Sequence, residues 1–147
     1  MNAFLRVTLI AVVAFIVVEA IPLAWFNFVL CWTIIVGAAY QYPHLILAKV
    51  QAMSSAVGFA VGMGAAIGAI VNFVGMFGAL VLHFSLFGAS AMAHAHDANP
   101  GTNTVPYLPS AVGDLFQIVG APLVGAVLGA IGGLVGGSTI PRGSRAV

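Results

Sequence analysis

Long apolar segments separated by short polar ones make up almost the whole chain. The apolar runs cover about residues 3–20, 23–40, 56–93 and 111–137, and the main polar stretch covers 94–110. A helix needs about 20 mostly apolar residues to cross a hydrocarbon core of about 30 Å. The pattern therefore predicts a single membrane domain, residues 1–147, with about four transmembrane helices. A count of three or five stays open.

The third apolar run, 56–93, is too long for one ordinary span. It predicts either one long tilted helix or a hairpin that breaks near residues 72–78. Cytoplasmic loops of membrane proteins carry an excess of Lys and Arg, and a four-span topology alone places all the basic residues on one side. These residues are Arg6, Lys49, Arg142 and Arg145. We therefore expect one long helix, both termini in the cytoplasm, and a prokaryotic cytoplasmic membrane, with residues 3–20 retained as the first span.

Composition supports this interpretation. Of the 147 residues, 62% are hydrophobic and 5% are charged, and the mean hydropathy is +1.16. A soluble domain has about 25% charged residues, so the chain is predicted to be an all-α integral membrane protein. Four basic residues are too few for the electrostatic footprint of a nucleic-acid-binding protein. The single cysteine, Cys31, has no second cysteine with which to form an internal disulfide.

Small residues recur at intervals of four in the last two apolar runs. Such spacing lets helix backbones approach closely in lipid, where no hydrophobic force drives helices together. The fourth run carries Gly125, Gly129, Gly133 and Gly137. The third carries two rows, namely Ser54, Gly58, Gly62, Ala66 and Ala60, Gly64, Gly68, Asn72. We predict that these glycine-rich faces are helix contacts, made within the chain, with another copy or with a foreign subunit.

The second apolar run contains several distinctive residues in and around the segment "IPLAWFNFVLCWTIIVGAAYQY". They are Pro22, Asn27, Cys31, Trp32 and Gly37. Together with the glycine-rich span that follows, this segment resembles small polytopic membrane proteins of bacteria and archaea whose function is unknown. The resemblance implies a proline-punctuated helical hairpin followed by helices that pack through glycine, and it implies no particular activity.

Few residues could carry chemistry. Glu19 and Asp114 are candidates for an ion pathway, because ionisable groups within a membrane are functional hypotheses by default. The structural alternatives are a hydrated interface for Glu19 and a helix N-terminus for Asp114, which the helix dipole favours. His94, His96 and Asp97 are metal-ligand types at close spacing. They predict either a weak metal site or a solvated loop.

His83 lies within an apolar segment, four residues after Ala79. This Ala-x-x-x-His pair resembles the signature of bacterial antenna polypeptides, in which the histidine ligates a bacteriochlorophyll and the small residue makes room for its ring. The resemblance implies that His83 could bind a chlorin or a haem. The alternative is a hydrogen bond between His83 and a neighbouring helix.

The sequence thus predicts a non-catalytic accessory subunit of a larger membrane assembly. No nucleophile stands at a supporting distance from a base, so we expect no enzyme. The alternatives are a small homo-oligomeric channel or transporter and, third, a pigment- or haem-binding subunit that uses His83. Expected partners are membrane lipids and other subunits or copies of the chain, not nucleic acid. The cofactor is left open, with bound lipid favoured over a chlorin or haem.

Overall fold

The structure is a computed structural model of the chain. It describes residues 2–20, 26–98 and 108–141. Side chains are described for 2–19, 26–79, 81–82 and 119–141. All regular secondary structure in this part is α-helical, with no strand, which confirms the all-α prediction. The helices are α1 (Ala3–Ala20), α2 (Phe26–Leu45), α3 (Leu47–Gln51), α4 (Ala56–Ala98) and α5 (Leu108–Ser138).

Local hydrogen bonds satisfy backbone groups at the start of α1 and at the end of α5. At the start of α1, the Asn2 Oδ1 accepts a hydrogen bond from the Phe4 backbone N–H at 3.2 Å, which satisfies a donor that the helix leaves unpaired. At the end of α5, the Ser138 hydroxyl donates to the Val135 carbonyl at 2.8 Å and the Thr139 hydroxyl donates to the Gly136 carbonyl at 2.9 Å. Polar residues at these two ends therefore replace the missing helical partners.

The third apolar run forms one continuous helix. Residues 72–78 lie inside α4, so the hairpin alternative does not occur. The 43 residues of α4 extend about 64 Å at 1.5 Å per residue. Part of the polar loop expected at 94–110 is helical, because 94–98 belong to α4 and 108–110 belong to α5, while 99–107 lie outside the described residues. The second helix covers 26–45 rather than 23–40 and includes Pro43.

Two segments of the described chain are long and apolar enough to cross a membrane. They are Ala56–Ala79 of α4 and Val119–Ser138 of α5. At about 1.5 Å per residue, their 24 and 20 residues span about 36 and 30 Å, which matches a hydrocarbon core of about 30 Å.

The long helices form a bundle in which α2 and α4 lie at the centre. Both central helices contact α1 and α5, while α1 and α5 do not touch within the described ranges. α1 and α2 are antiparallel. Their rings Phe4 and Tyr42 meet edge to face at one end, with centroids 5.9 Å apart, and Cys31 contacts Glu19 at the other. The largest interface is that between α4 and α5.

The apolar core lies between α1, α2 and α4. A cluster of buried side chains fills it: Ala11, Val12, Phe15, Cys31, Ile35, Tyr42, Ile67 and Val71. Spacings of three and four along each helix bring these residues to one face. Among the described side chains, no comparable cluster of large residues separates α4 from α5, and there the backbones themselves come into contact.

The described charges are separated along the bundle. Arg6 and Lys49 are exposed at the end where α1 begins and α2 passes into α3. Glu19 lies at the opposite end of α1. Arg142 and Arg145 follow the end of α5 and lie outside the described residues.

Candidate functional site

The contact between α4 and α5 is a line of glycine against glycine. A β-carbon on Gly64 would collide with the Gly129 carbonyl, and one on Gly68 would collide with the Gly125 carbonyl. The reverse substitutions meet the same obstacle from the other helix. Gly133 continues the line against the Ala60 carbonyl. Only residues without a side chain fit at these positions, because backbone lies directly against backbone.

Gly137 ends this line. A β-carbon there would lie 2.8 Å from the Ala60 Cβ and 3.3 Å from the Val57 Cα. All four predicted glycines of α5 therefore face α4, together with Gly64 and Gly68.

Gly58 and Gly62 lie outside this contact, although the sequence predicted both as packing residues. Both are exposed. A β-carbon on Gly62 would meet nothing within 4 Å, and one on Gly58 would meet only the side chain of Ser55. Neither contacts another helix within the described part of the chain, because their row is offset by two residues, about 200°, from the row that faces α5.

A second glycine pair on α5, which the sequence analysis missed, faces α2. A β-carbon on Gly132 would collide with the Val36 carbonyl, and one on Gly136 would lie 2.5 Å from the Tyr40 carbonyl oxygen. The signal was present in the doubled glycines at 132–133 and 136–137. Adjacent residues point about 100° apart on a helix, so each doubled glycine offers two contact faces.

Gly136 provides a direct test of the α2–α5 contact. We expect Gly136→Leu to lower the free energy of unfolding by about 2 kcal/mol, as overpacking typically does, because the leucine has to displace Tyr40 and Pro43. Denaturation with SDS in mixed micelles measures this. Gly120→Leu is the matched control, since a β-carbon at Gly120 meets nothing within 4 Å. Equal losses in the two variants would contradict the contact.

Asn72 adds a hydrogen bond to the interface between α4 and α5. Its Nδ2 donates to the Ala121 carbonyl at 2.6 Å, and the side chain is buried. Ala121 directly precedes Pro122, which lies inside α5. The four-residue spacing predicts Asn72 in a contact row, but it does not indicate which backbone group the amide reaches.

Glu19 contacts the only cysteine of the chain. The Cys31 thiol donates to the Glu19 Oε1 at 3.5 Å, and Cys31 is buried while Glu19 is partly exposed. The contact joins α1 to α2 at the end of the bundle opposite to Arg6. The role of Glu19 in an ion pathway stays a prediction, because the side chain of its proposed companion Asp114 lies outside the described residues.

Side chains near the end of α5 tie it to α2 and α3. The Thr139 Oγ1 lies 3.2 Å from the His44 Nε2, and the Gln51 Nε2 donates to the Pro141 carbonyl at 3.2 Å. Ile140, between them, is buried. These contacts hold the basic end of the bundle together.

The remaining predicted ligands fall on α4. His94, His96 and Asp97 lie in its last turns and not in a loop, which corrects their predicted setting. His83 also lies on α4, four residues after Ala79. The side chains of all four ligand candidates are outside the described residues, so the metal and pigment hypotheses stay predictions. Among the side chains that are described, no three His, Cys, Asp or Glu residues gather as a metal site would require.

Comparison with known proteins adds no assignment. No family model, no curated protein and no solved structure matches the chain.

Proposed function

We propose that this chain is a small integral membrane subunit without catalytic chemistry, which packs beside other subunits of a larger assembly. The observation that carries the proposal is the apolar outer surface of the bundle. All four long helices expose large apolar side chains: Leu5, Leu9, Val13 and Val17 on α1, Phe28 and Trp32 on α2, Phe73 and Phe77 on α4, and Leu123, Val127 and Ile131 on α5. A soluble monomer rarely exposes such a continuous apolar surface.

The interior supports a membrane setting. Between helices in lipid, close packing of small residues and hydrogen bonds replace the hydrophobic effect. The α4–α5 interface uses both, through Gly64, Gly68 and the bond from Asn72. We infer that α1, α2, α4 and α5 are four spans that pack through glycine-rich faces. Arg6 and Lys49 share one end, so under the positive-inside rule that end is cytoplasmic. Both termini then face the cytoplasm.

A non-catalytic role fits three polar contacts between described segments of the chain. Asn72 binds backbone, Cys31 and Glu19 bind each other, and Gln51 binds the end of α5. Each of these groups joins two helices. A transporter or channel ordinarily places free polar or charged groups along its path.

The glycine row of α5 weighs against a homo-oligomeric channel whose pore is lined by the glycines of the last helix. Gly125, Gly129 and Gly133 are instead covered by α4, so a pore between copies would need another lining. Exposed Gly58 and Gly62 remain open for contact with a neighbouring subunit.

Native mass spectrometry after gentle purification from the native membrane tests the proposal, with an absorption spectrum of the same fraction. We expect unlike proteins at a fixed ratio to the chain.

Gly62→Trp, on the open face of α4, should reduce that ratio, whereas the matched control Gly120→Trp on α5 should leave it unchanged. A homo-oligomer without partners would overturn the accessory role, and recovery of the chain in the soluble fraction would overturn the membrane placement. A visible band lost on His83→Leu would instead identify a pigment-binding subunit.

A further inference from the structure

An open apolar groove runs between α1 and α2 on the outside of the bundle. Its volume is about 280 Å³. The groove exists because its walls carry several short side chains, and a β-carbon on Gly37 would meet nothing within 4 Å. The lining residues are Val7, Ile10, Ala11 and Ala14 of α1 and Thr33, Ile34, Gly37, Ala38 and Gln41 of α2.

The dimensions of the groove favour a single hydrocarbon chain. From Val7 to Ala14 the helix rises about 10 Å, so a volume of about 280 Å³ corresponds to a mean cross-section of roughly 27 Å². A helix with its side chains is about 10–12 Å wide and cannot enter such a space. The Thr33 hydroxyl donates to the Val29 carbonyl at 2.7 Å, so this hydroxyl in the α2 wall already has a partner.

Charge is distributed unequally along the groove. Its Val7–Gln41 end lies beside exposed Arg6, one residue before Val7 and one turn before Ile10. Lys49 is exposed at the same end of the bundle. Glu19, the single acid among the described side chains, lies at the opposite end of α1 and contacts Cys31. The end of the groove near Arg6 is therefore positive, which favours an anionic group there.

We propose that this groove binds an anionic phospholipid. One acyl chain lies between α1 and α2, and the phosphate headgroup lies at the end marked by Arg6 and Gln41. The inference rests on the proposed membrane placement, and it adds a ligand and a headgroup preference to it. The geometry of the groove selects the chain, and the charge of Arg6 selects the headgroup.

Lipid capture tests this site. The protein is reconstituted in nanodiscs of equal parts phosphatidylglycerol and phosphatidylcholine, transferred to mild detergent and examined by native mass spectrometry. The unaltered chain should retain phosphatidylglycerol in preference to phosphatidylcholine. Arg6→Gln should reduce that preference about fivefold, the effect of one basic residue near a membrane surface. Gly37→Leu and Ala14→Leu, from opposite walls, should each lose the bound lipid, whereas Gly62→Leu, on an open face elsewhere, should retain it.

The outcomes separate this inference from the proposed function. Equal retention of both lipids, no retention, or unchanged retention in both Gly37→Leu and Ala14→Leu overturns the site, while a chain that stays in the nanodisc leaves the membrane placement intact. A chain that does not enter the nanodisc overturns both. Equal SDS denaturation midpoints for the unaltered chain and Gly37→Leu show that lipid loss comes from the filled groove and not from unfolding.

Discussion

Gly68→Leu should separate α4 from α5 and lower the free energy of unfolding by about 3 kcal/mol or more, the upper range for overpacking. Even a β-carbon at this position collides with the Gly125 carbonyl and lies 3.0 Å from the Gly129 Cα. These obstacles are backbone atoms, so no change of rotamer relieves the clash. SDS denaturation in mixed micelles, followed by tryptophan fluorescence, measures the loss.

The matched control for Gly68→Leu is the same change at Gly62. Both residues lie on α4, six positions apart, and the change to leucine restricts the backbone equally at each. A β-carbon on Gly62, however, meets nothing within 4 Å. Gly62→Leu should therefore stay within about 0.5 kcal/mol of the unaltered chain, as surface substitutions usually do. Comparable losses at the two positions would contradict contact with α5 as the cause, because leucine is a better helix former than glycine and helix propensity alone would stabilise both variants.

Asn72→Asp should cost about 3 kcal/mol, close to the insertion cost of a charged residue at the centre of a transmembrane helix. The change preserves the shape of the side chain but removes its donor. A carboxylate oxygen would then face the Ala121 carbonyl oxygen across the 2.6 Å that the hydrogen bond now spans. Asn72 is buried, so water cannot relieve the repulsion. The free energy of unfolding at neutral pH measures the cost.

Asn72→Ala separates the charge from the lost hydrogen bond. Interhelical hydrogen bonds in membranes are worth about 0.6 kcal/mol on average and about 1.7 kcal/mol at most. The alanine variant should therefore lose about 1 kcal/mol, well below the aspartate variant. If alanine costs as much as aspartate, the contribution of Asn72 lies in packing against Gly125 and not in its polar contact.

The spacing of residues along single helices was enough to predict the helical fold and one of the glycine contact rows. The length and continuity of the apolar runs predicted an all-helical chain, because a helix satisfies the backbone groups of a long apolar segment within that segment. The four-residue interval placed Gly125, Gly129 and Gly133 in one row, and in the structure all three lie against α4. These properties follow from local periodicity, so the sequence was sufficient for them.

Properties that depend on two helices at once were not predictable. The rows of Gly58–Gly62 and Gly64–Gly68 looked equivalent, but they lie on opposite sides of α4 and one neighbour can cover one of them. The contact of Gly136 with Tyr40 and the bond from Asn72 to Ala121 depend on the register of neighbouring helices. No single-helix pattern contains that register.

Disulfide trapping in isolated membranes tests the central claim, that the glycine rows hold α4 against α5 in a membrane-embedded bundle. In a Cys31→Ser background, Ala60→Cys with Gly137→Cys should cross-link under mild oxidation and resist labelling with maleimide polyethylene glycol, because the two β-carbons would lie about 2.8 Å apart. Gly62→Cys with Gly137→Cys should stay reduced and accept two labels once the oxidised membranes are dissolved in SDS. Full labelling of the first pair, cross-linking of the second alone, or loss of the chain from the membrane fraction would contradict the account.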